Sequence, residues 1–338
     1  MFSPMRENNR TRGVVRAIGA TIFATLMFGA VATTASSGAQ AATITAGSRV
    51  SPRWTGAIDT TSASAVNAAY WSRYAPKQTL SIDWLLGSIL GCVPGLTSSS
   101  TNAATLSSLN FVRSLAGLAP VTFSNALNAS AQKAALIMAA NGSLSHSPSS
   151  NWKCWSPDGA QAASRSNLAL AYPKLQAGRI VDLYMSDPGA ENTAVGHRRW
   201  LLNPFSTVMG SGSTPTANAI TVIGPTNAYR PNPRWVGWPT AGYFPNAIEP
   251  NGRWSLSAGL KSISFGSARV AVYRGTTRIP VQRFAVHSGY GQPTLVWQMP
   301  AGFSRSGNYR VVVTRIKQAG VSTYLKKAYT VRLFTPSQ

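Results

Sequence analysis

Residues 109–147 read LNFVRSLAGLAPVTFSNALNASAQKAALIMAANGSLSHS, and this stretch sets the fold class. Leu106, Leu109, Val112 and Leu115 recur at helical spacing, and Gly117 stands where a left-handed residue ends a helix. A second helix follows a seven-residue gap. Ser124 is placed to cap it, Leu127, Ala131, Ala134 and Met138 share one face, and Gly142 stops it. The stretch then runs into His146, one of only three histidines in the chain. Two helices with one apolar face each need further layers to cover them, and those must come from either side.

Upstream, Arg6, Arg10, Arg12 and Arg16 precede an apolar run from Ala17 to Ala32, and Ala39-Gln40-Ala41 is a small-x-small pattern. This order predicts a secretory leader over 1–41, with no membrane-spanning segment after processing. Cleavage after Ala41 removes four arginines and one glutamate, so a chain of formal charge +23 becomes one of +20. An exported protein this basic is drawn to anionic lipids and anionic cell-wall polymers; no nucleic-acid motif is present, and no nucleic-acid partner is expected. Two cysteines, Cys92 and Cys154, read as one disulfide in an oxidising compartment. A two-cysteine metal site is the alternative, although neither cysteine has a CxxC partner. Residues 42–104, rich in Ser, Thr, Ala and Gly, form an N-terminal extension with one helical piece, SAVNAAYWSRYAP, stopped at Pro76.

Downstream, AGRIVDLYMSD is a third helix, stopped by Pro188, and AITVIG is strand-like. The Pro-, Gly- and aromatic-rich run WVGWPTAGYFPNAIEP reads as a junction near Trp235. Beyond it, RWSLS, RVAVY, RIPVQRF, TLVWQM, YRVVVTRI and TYLKKAYTVRLF alternate with turn residues, which predicts a small all-β, immunoglobulin-like sandwich over 235–338. From Trp238 onward there are 13 Lys and Arg against one acid, Glu249, so the positive charge concentrates on this half.

The chain has only eight acidic residues, and four of them (Asp158, Asp182, Asp187, Glu191) lie between His146 and His197. Helix capping alone accounts for acids in first turns. The order of motifs says more. The stretch quoted above, then SNLAL, IVDLYMSD, VGHRRWLLNP and MGSG, resembles the CAP superfamily: cysteine-rich secretory, antigen 5 and pathogenesis-related 1 proteins, in its bacterial SCP-like secreted branch. The resemblance implies an α+β fold, a CAP-type α-β-α sandwich over 105–234, whose open groove carries two histidines and two glutamates. His146 in LSHS and His197 in VGHRRW match the two groove histidines. The first glutamate belongs to a Gly-Glu-Asn-Leu motif, and here Arg165-Ser166-Asn167-Leu168 puts Ser166 in its place. The second follows a Trp-x-x-Glu pattern, and Tyr184-Met185-Ser186-Asp187 puts the shorter Asp187 there. Glu191 and Asn167 are auxiliary candidates. His146, His197 and Asp187 are the residues able to hold Zn²⁺, although none is required; alternatively Ser166 hydrogen-bonds an imidazole and the groove is simply polar. Arg198 and Arg199 read by default as a solvated face, or alternatively as ion-pair partners of Asp182 or Asp187, and Trp152, Trp155 and Trp200 as an apolar wall or as core.

The expected function is a secreted, non-catalytic binding module. Its groove would take a lipid-like ligand, as the resemblance implies, while the basic sandwich holds it at the envelope. One alternative is a metal-dependent hydrolase of peptides or cell-wall material, with Asp187 or Glu191 as general base. The other is a structural or adhesive envelope protein.

Overall fold

The computed structural model describes residues 47–338. The leader expected over 1–41 and its cleavage pattern lie outside the described residues.

The order of elements begins with helix α1 (Ala63–Ala69), which runs on through a π-helical turn at Tyr70–Tyr74 and a 3₁₀ turn at Ala75–Lys77. A small hairpin pairs β1 (Trp84–Leu85) with β2 (Leu96–Thr97). Helix α2 (Ser99–Leu115) starts earlier than its apolar spacing indicates, because the Ser98 hydroxyl accepts from the Thr101 N–H and extends the helix by two polar turns. After β3 (Thr122–Phe123) comes α3 (Asn125–Asn141), capped by Ser124 and closed by Gly142 in the left-handed region, as expected. Helix α4 (Pro157–Ser164) follows, then β4 (Ser166–Leu170), α5 (Arg179–Ser186), α6 (Gly196–Leu201), β5 (Val208–Ser213) and β6 (Ala217–Thr221).

The four strands of this half form one sheet in the order β3-β5-β6-β4, parallel between β3 and β5 and antiparallel elsewhere. Successive strand side chains alternate between faces, and the two cores follow that alternation. Leu168, Leu170, Ala217 and Ala219 pack with Ala134, Ile137, Met138 and Ala163 from α3 and α4. Ala169, Ile220 and Met209 instead join Leu109, Val112, Ile180 and Tyr184 from α2 and α5. The result is the α-β-α sandwich. Helix α3 lies unusually close to β5: a Cβ on Gly212 would meet the Gln132 backbone nitrogen at 2.1 Å. The glycines of MGSG are therefore the condition for this layer spacing.

The second half is a two-sheet sandwich. Strands β7 (Trp235–Trp238), β9 (Arg253–Ala258), β13 (Gln282–Arg283) and β14 (Thr294–Gln298) pair in the order β13-β14-β9-β7. The facing sheet takes β8 (Gly242–Pro245), β11 (Arg269–Arg274), β12 (Thr277–Ile279), β15 (Gly307–Gln318) and β16 (Leu325–Phe334) in the order β12-β11-β15-β16-β8, with β10 (Ile263–Ser264) on β15. The runs read as strand all contain strand, but RIPVQRF breaks at Pro280 into β12 and β13, which join opposite sheets, and AITVIG is strand only as far as Thr221. The apparent junction is strand as well, since WVGW and GYFP supply an edge to each sheet. Between the sheets lie Trp254, Trp297, Phe265, Tyr309 and Val311, all buried.

The two halves are continuous inside. The core on the α2/α5 face of the first sheet runs without a break into the core of the sandwich. The extension joins them on the outside: α1 packs on β8, the Tyr243 N–H donates to Thr60 O at 2.7 Å, and the π-helical turn packs on α2. Among the described residues no helix is long and apolar enough to cross a membrane.

Candidate functional site

Helix α5 ends at Asp187, which adopts a left-handed conformation (φ 49°) and so turns its carboxylate back toward the start of α6. Asp187 Oδ2 accepts the backbone N–H of His197 at 3.1 Å, and Oδ1 accepts its ring Nδ1–H at 2.8 Å. One carboxylate therefore caps an otherwise unsatisfied N–H at the start of α6 and fixes the imidazole. The Tyr184 ring stacks on His197, with centroids 5.4 Å apart and planes 29° from parallel. The Tyr184 hydroxyl is fixed in turn by Asn218 Oδ1 at 2.9 Å, and Asn167 Nδ2 donates to His197 O at 3.0 Å. His197 is thus held on three sides: by Asp187, by the Tyr184 face, and through its own carbonyl.

His146 comes from the loop after α3. Its Nδ1 lies 2.9 Å from the Ala163 carbonyl, which only accepts, so Nδ1 carries the proton. Both histidines are consequently Nδ1–H tautomers when neutral, and both leave Nε2 as an acceptor. Burial pushes the pKa of His146 below its ordinary value, the Ala163 bond opposes this, and the charge on a protonated His197 lowers it further.

The remaining candidates are placed as follows. The Ser166 hydroxyl donates to Ala162 O at 2.7 Å and meets Thr221 Oγ1 at 3.1 Å, so it is tied to α4 and β6 and not to an imidazole. Asn167 lies beneath His197, as described. Glu191 is exposed on the loop between α5 and α6. Asp158 pairs with Lys133 at 2.7 Å on the surface. Asp182 faces Tyr70 and Tyr74, and burial raises its pKa. Of the four acids in the window, only Asp187 reaches a histidine. The tryptophans divide: Trp152 packs on the α3/α4 core, Trp155 donates its indole N–H to Pro148 O at 3.1 Å, and Trp200 packs on the other core beside Gly291.

Arg198 and Arg199 are not a solvated face. Arg198 is buried and donates to Met185 O at 2.6 Å, Arg253 O at 2.8 Å and Ser255 Oγ at 3.0 Å, joining the site helix to β9 of the sandwich. Arg199 donates to His287 O and Gln292 O and lies over the Tyr290 ring. Burial lowers both guanidinium pKa values to about 10, and Asp187 is among the charges opposing that fall. From the other side, Arg253 donates to the carbonyls of Asp187, Gly189 and Asn192 and so shapes the site loop. The sequence reading missed Tyr184, Asn218 and Arg253. Only Tyr184 left a signal, as a buried-face aromatic one turn before Asp187.

Zinc requires four donors. Asp187 stands on the Nδ1 side of His197 with both oxygens accepting from that residue, the position of a carboxylate that orients an imidazole. Ser166 is committed to Ala162 and Thr221. Among the described residues no three His, Cys, Asp or Glu side chains are grouped to share an ion. Of the three candidates, His146 and His197 each engage Nδ1, and Asp187 stands behind His197.

Cys92 and Cys154 are bonded, which joins the loop carrying His146 to the N-terminal hairpin. A disulfide of this kind suits an oxidising, extracellular setting.

A three-layer α-β-α domain with two histidines at one site, one of them oriented by a carboxylate at the end of the preceding helix, defines a CAP-type domain. Residues 106–223 match the model of the cysteine-rich secretory protein family, CAP, so this segment is a CAP domain. Among curated proteins none matches the chain.

Proposed function

We propose that the protein is a secreted binding module without catalytic activity, in which the Nε2 atoms of His146 and His197 accept hydrogen bonds from the polar head of an amphipathic, lipid-like ligand. The observation that carries this reading is the commitment of the other reactive groups. Asp187 spends both oxygens on His197, and Ser166 spends its hydroxyl on Ala162 and Thr221. What remains at the site is a pair of acceptors on rigid supports, which suits orientation of a ligand. The basic sandwich serves retention at an anionic envelope, with Lys326, Lys327 and Arg332 on β16 as contributors.

The test is binding of a fluorescent sterol and a fluorescent fatty acid to the purified protein and to the His146→Ala/His197→Ala double variant. Saturable, stoichiometric binding that the variant loses supports the reading. Equal binding by both proteins overturns it. A hydrolase is the second reading, favoured by the 2.8 Å Asp187–His197 pair, since such a pair can support a general base. Turnover of a peptide or cell-wall glycan that disappears in the double variant would decide for it, and a Zn²⁺ titration would show whether an ion takes part.

A further inference from the structure

Residues 84–96, WLLGSILGCVPGL, contain no charged side chain, and the structure turns their apolar groups outward. Leu86 is 84% exposed and Leu90 is 90% exposed, with Leu85, Val93 and Leu96 exposed beside them. Isolated exposed leucines are ordinary, but a cluster of this kind on one protruding loop marks an interaction surface. The loop is also held firmly. Ser88 and Val93 exchange both backbone hydrogen bonds at 2.9 Å, and Leu85 pairs with Leu96. The Trp84 indole donates to Pro94 O at 2.7 Å, and Gly91 N–H donates to Ser88 Oγ at 3.0 Å. Gly95 has φ +60°, and a Cβ there would fall 2.3 Å from Leu85 O, so the turn requires glycine. The Cys92–Cys154 bond secures the tip to the body of the protein.

These features identify the partner. Leu86 and Leu90 are the most exposed apolar side chains of the loop, and no charge on it would set a register with a folded partner. Several of its polar groups already bond within the loop, which lowers the cost of entering an apolar medium. Trp84 at the base is a side chain that favours the headgroup region. At the loop itself exposed Lys153 sits next to the disulfide and exposed Asp83 at the base, while the chain as a whole carries 31 Lys and Arg against 8 acids, a net balance complementary to an anionic surface. We infer that the 84–96 loop is a membrane-contact element that inserts Leu86 and Leu90 into the interface of an anionic lipid bilayer. This inference does not depend on what the histidine site binds.

The experiment is co-sedimentation of the protein, recovered from the medium of an exporting host, with vesicles of equimolar phosphatidylcholine and phosphatidylglycerol. Each buried leucine is worth about tenfold in partition, so Leu86→Ser/Leu90→Ser should bind about a hundredfold more weakly. Leu90→Trp should bind more tightly than the parent. Both variants should keep the disulfide and the parent's melting temperature, since neither side chain is packed. Three results overturn the inference: no sedimentation of the parent, equal sedimentation of parent and double variant, or a parent dimer in the absence of lipid that the double variant abolishes. The second would mean attachment by charge alone, and the third a second copy on the patch. Loss of sterol binding in the histidine variant with vesicle binding intact would separate this element from the ligand site.

Discussion

Replacing Asp187 by Asn should reverse the hydrogen-bonding character of the site while leaving its backbone in place. Asn tolerates the left-handed conformation of this position as Asp does, so the turn itself is not perturbed. The carboxylate accepts twice from His197, at 3.1 Å from the main chain and at 2.8 Å from Nδ1. An amide has one accepting end and one donating end. The backbone N–H cannot change its role, whereas the imidazole can change tautomer. The amide oxygen should therefore stay on the main-chain N–H, its NH₂ should donate to Nδ1, and the ring proton should move to Nε2. Loss of one charge-assisted buried bond, together with the negative charge nearest Arg198, Arg199 and Arg253, should cost about 2–4 kcal/mol. Long-range ¹H–¹⁵N correlation of the imidazole reads the tautomer, and denaturant unfolding reads the stability. A ring that keeps its proton on Nδ1, with a stability change below about 0.5 kcal/mol, would refute the reasoning. If the tautomer does flip, ligands that donate to Nε2 should be lost and ligands that accept should gain.

Arg198→Met removes the donors to Met185 O, Arg253 O and Ser255 Oγ, and should cost about 3 kcal/mol; calorimetry should show the two halves beginning to melt separately. Gly212→Ala drives a Cβ into the backbone of α3 at 2.1 Å, where no flexible side-chain end can yield, and should cost about 1–3 kcal/mol in urea unfolding. His146 has its folded pKa below the ordinary histidine value of about 6.5, so the unfolded chain binds the proton first as pH falls. Its contribution to stability is therefore complete above 6.5 and declines as pH drops toward the folded pKa. The urea midpoint should show that decline between neutral pH and pH 5, and His146→Asn should flatten it.

Helix α3 was legible to the residue because its signals are local: a serine that caps it, one apolar face, a glycine that closes it. The sandwich strands were legible for the same reason. Helix α4 was overlooked although Ser156-Pro157-Asp158 is a helix start, since eight residues are too few to show a period. Arg198 and Arg199 were misread because their partners are backbone carbonyls far along the chain, on β9 and in the loop before β14. A sequence shows the donors and hides such acceptors. The pairing of Asp187 with His197 was anticipated only as a shared groove position. Its form depends on the backbone turn at Asp187, which residue identity alone does not specify.

The continuous core has an evolutionary corollary. The segment that carries the family's pattern, 106–223, ends before the strands that bury its α2/α5 face, and three arginine contacts cross from α6 to β9 and to the loop before β14. The unit that is inherited is thus shorter than the unit that folds. The sandwich cannot be shed or exchanged like a module on a linker, and a change on β9 at Arg253 or Ser255 is a change to the histidine site. Selection on one half of this protein is felt by the other.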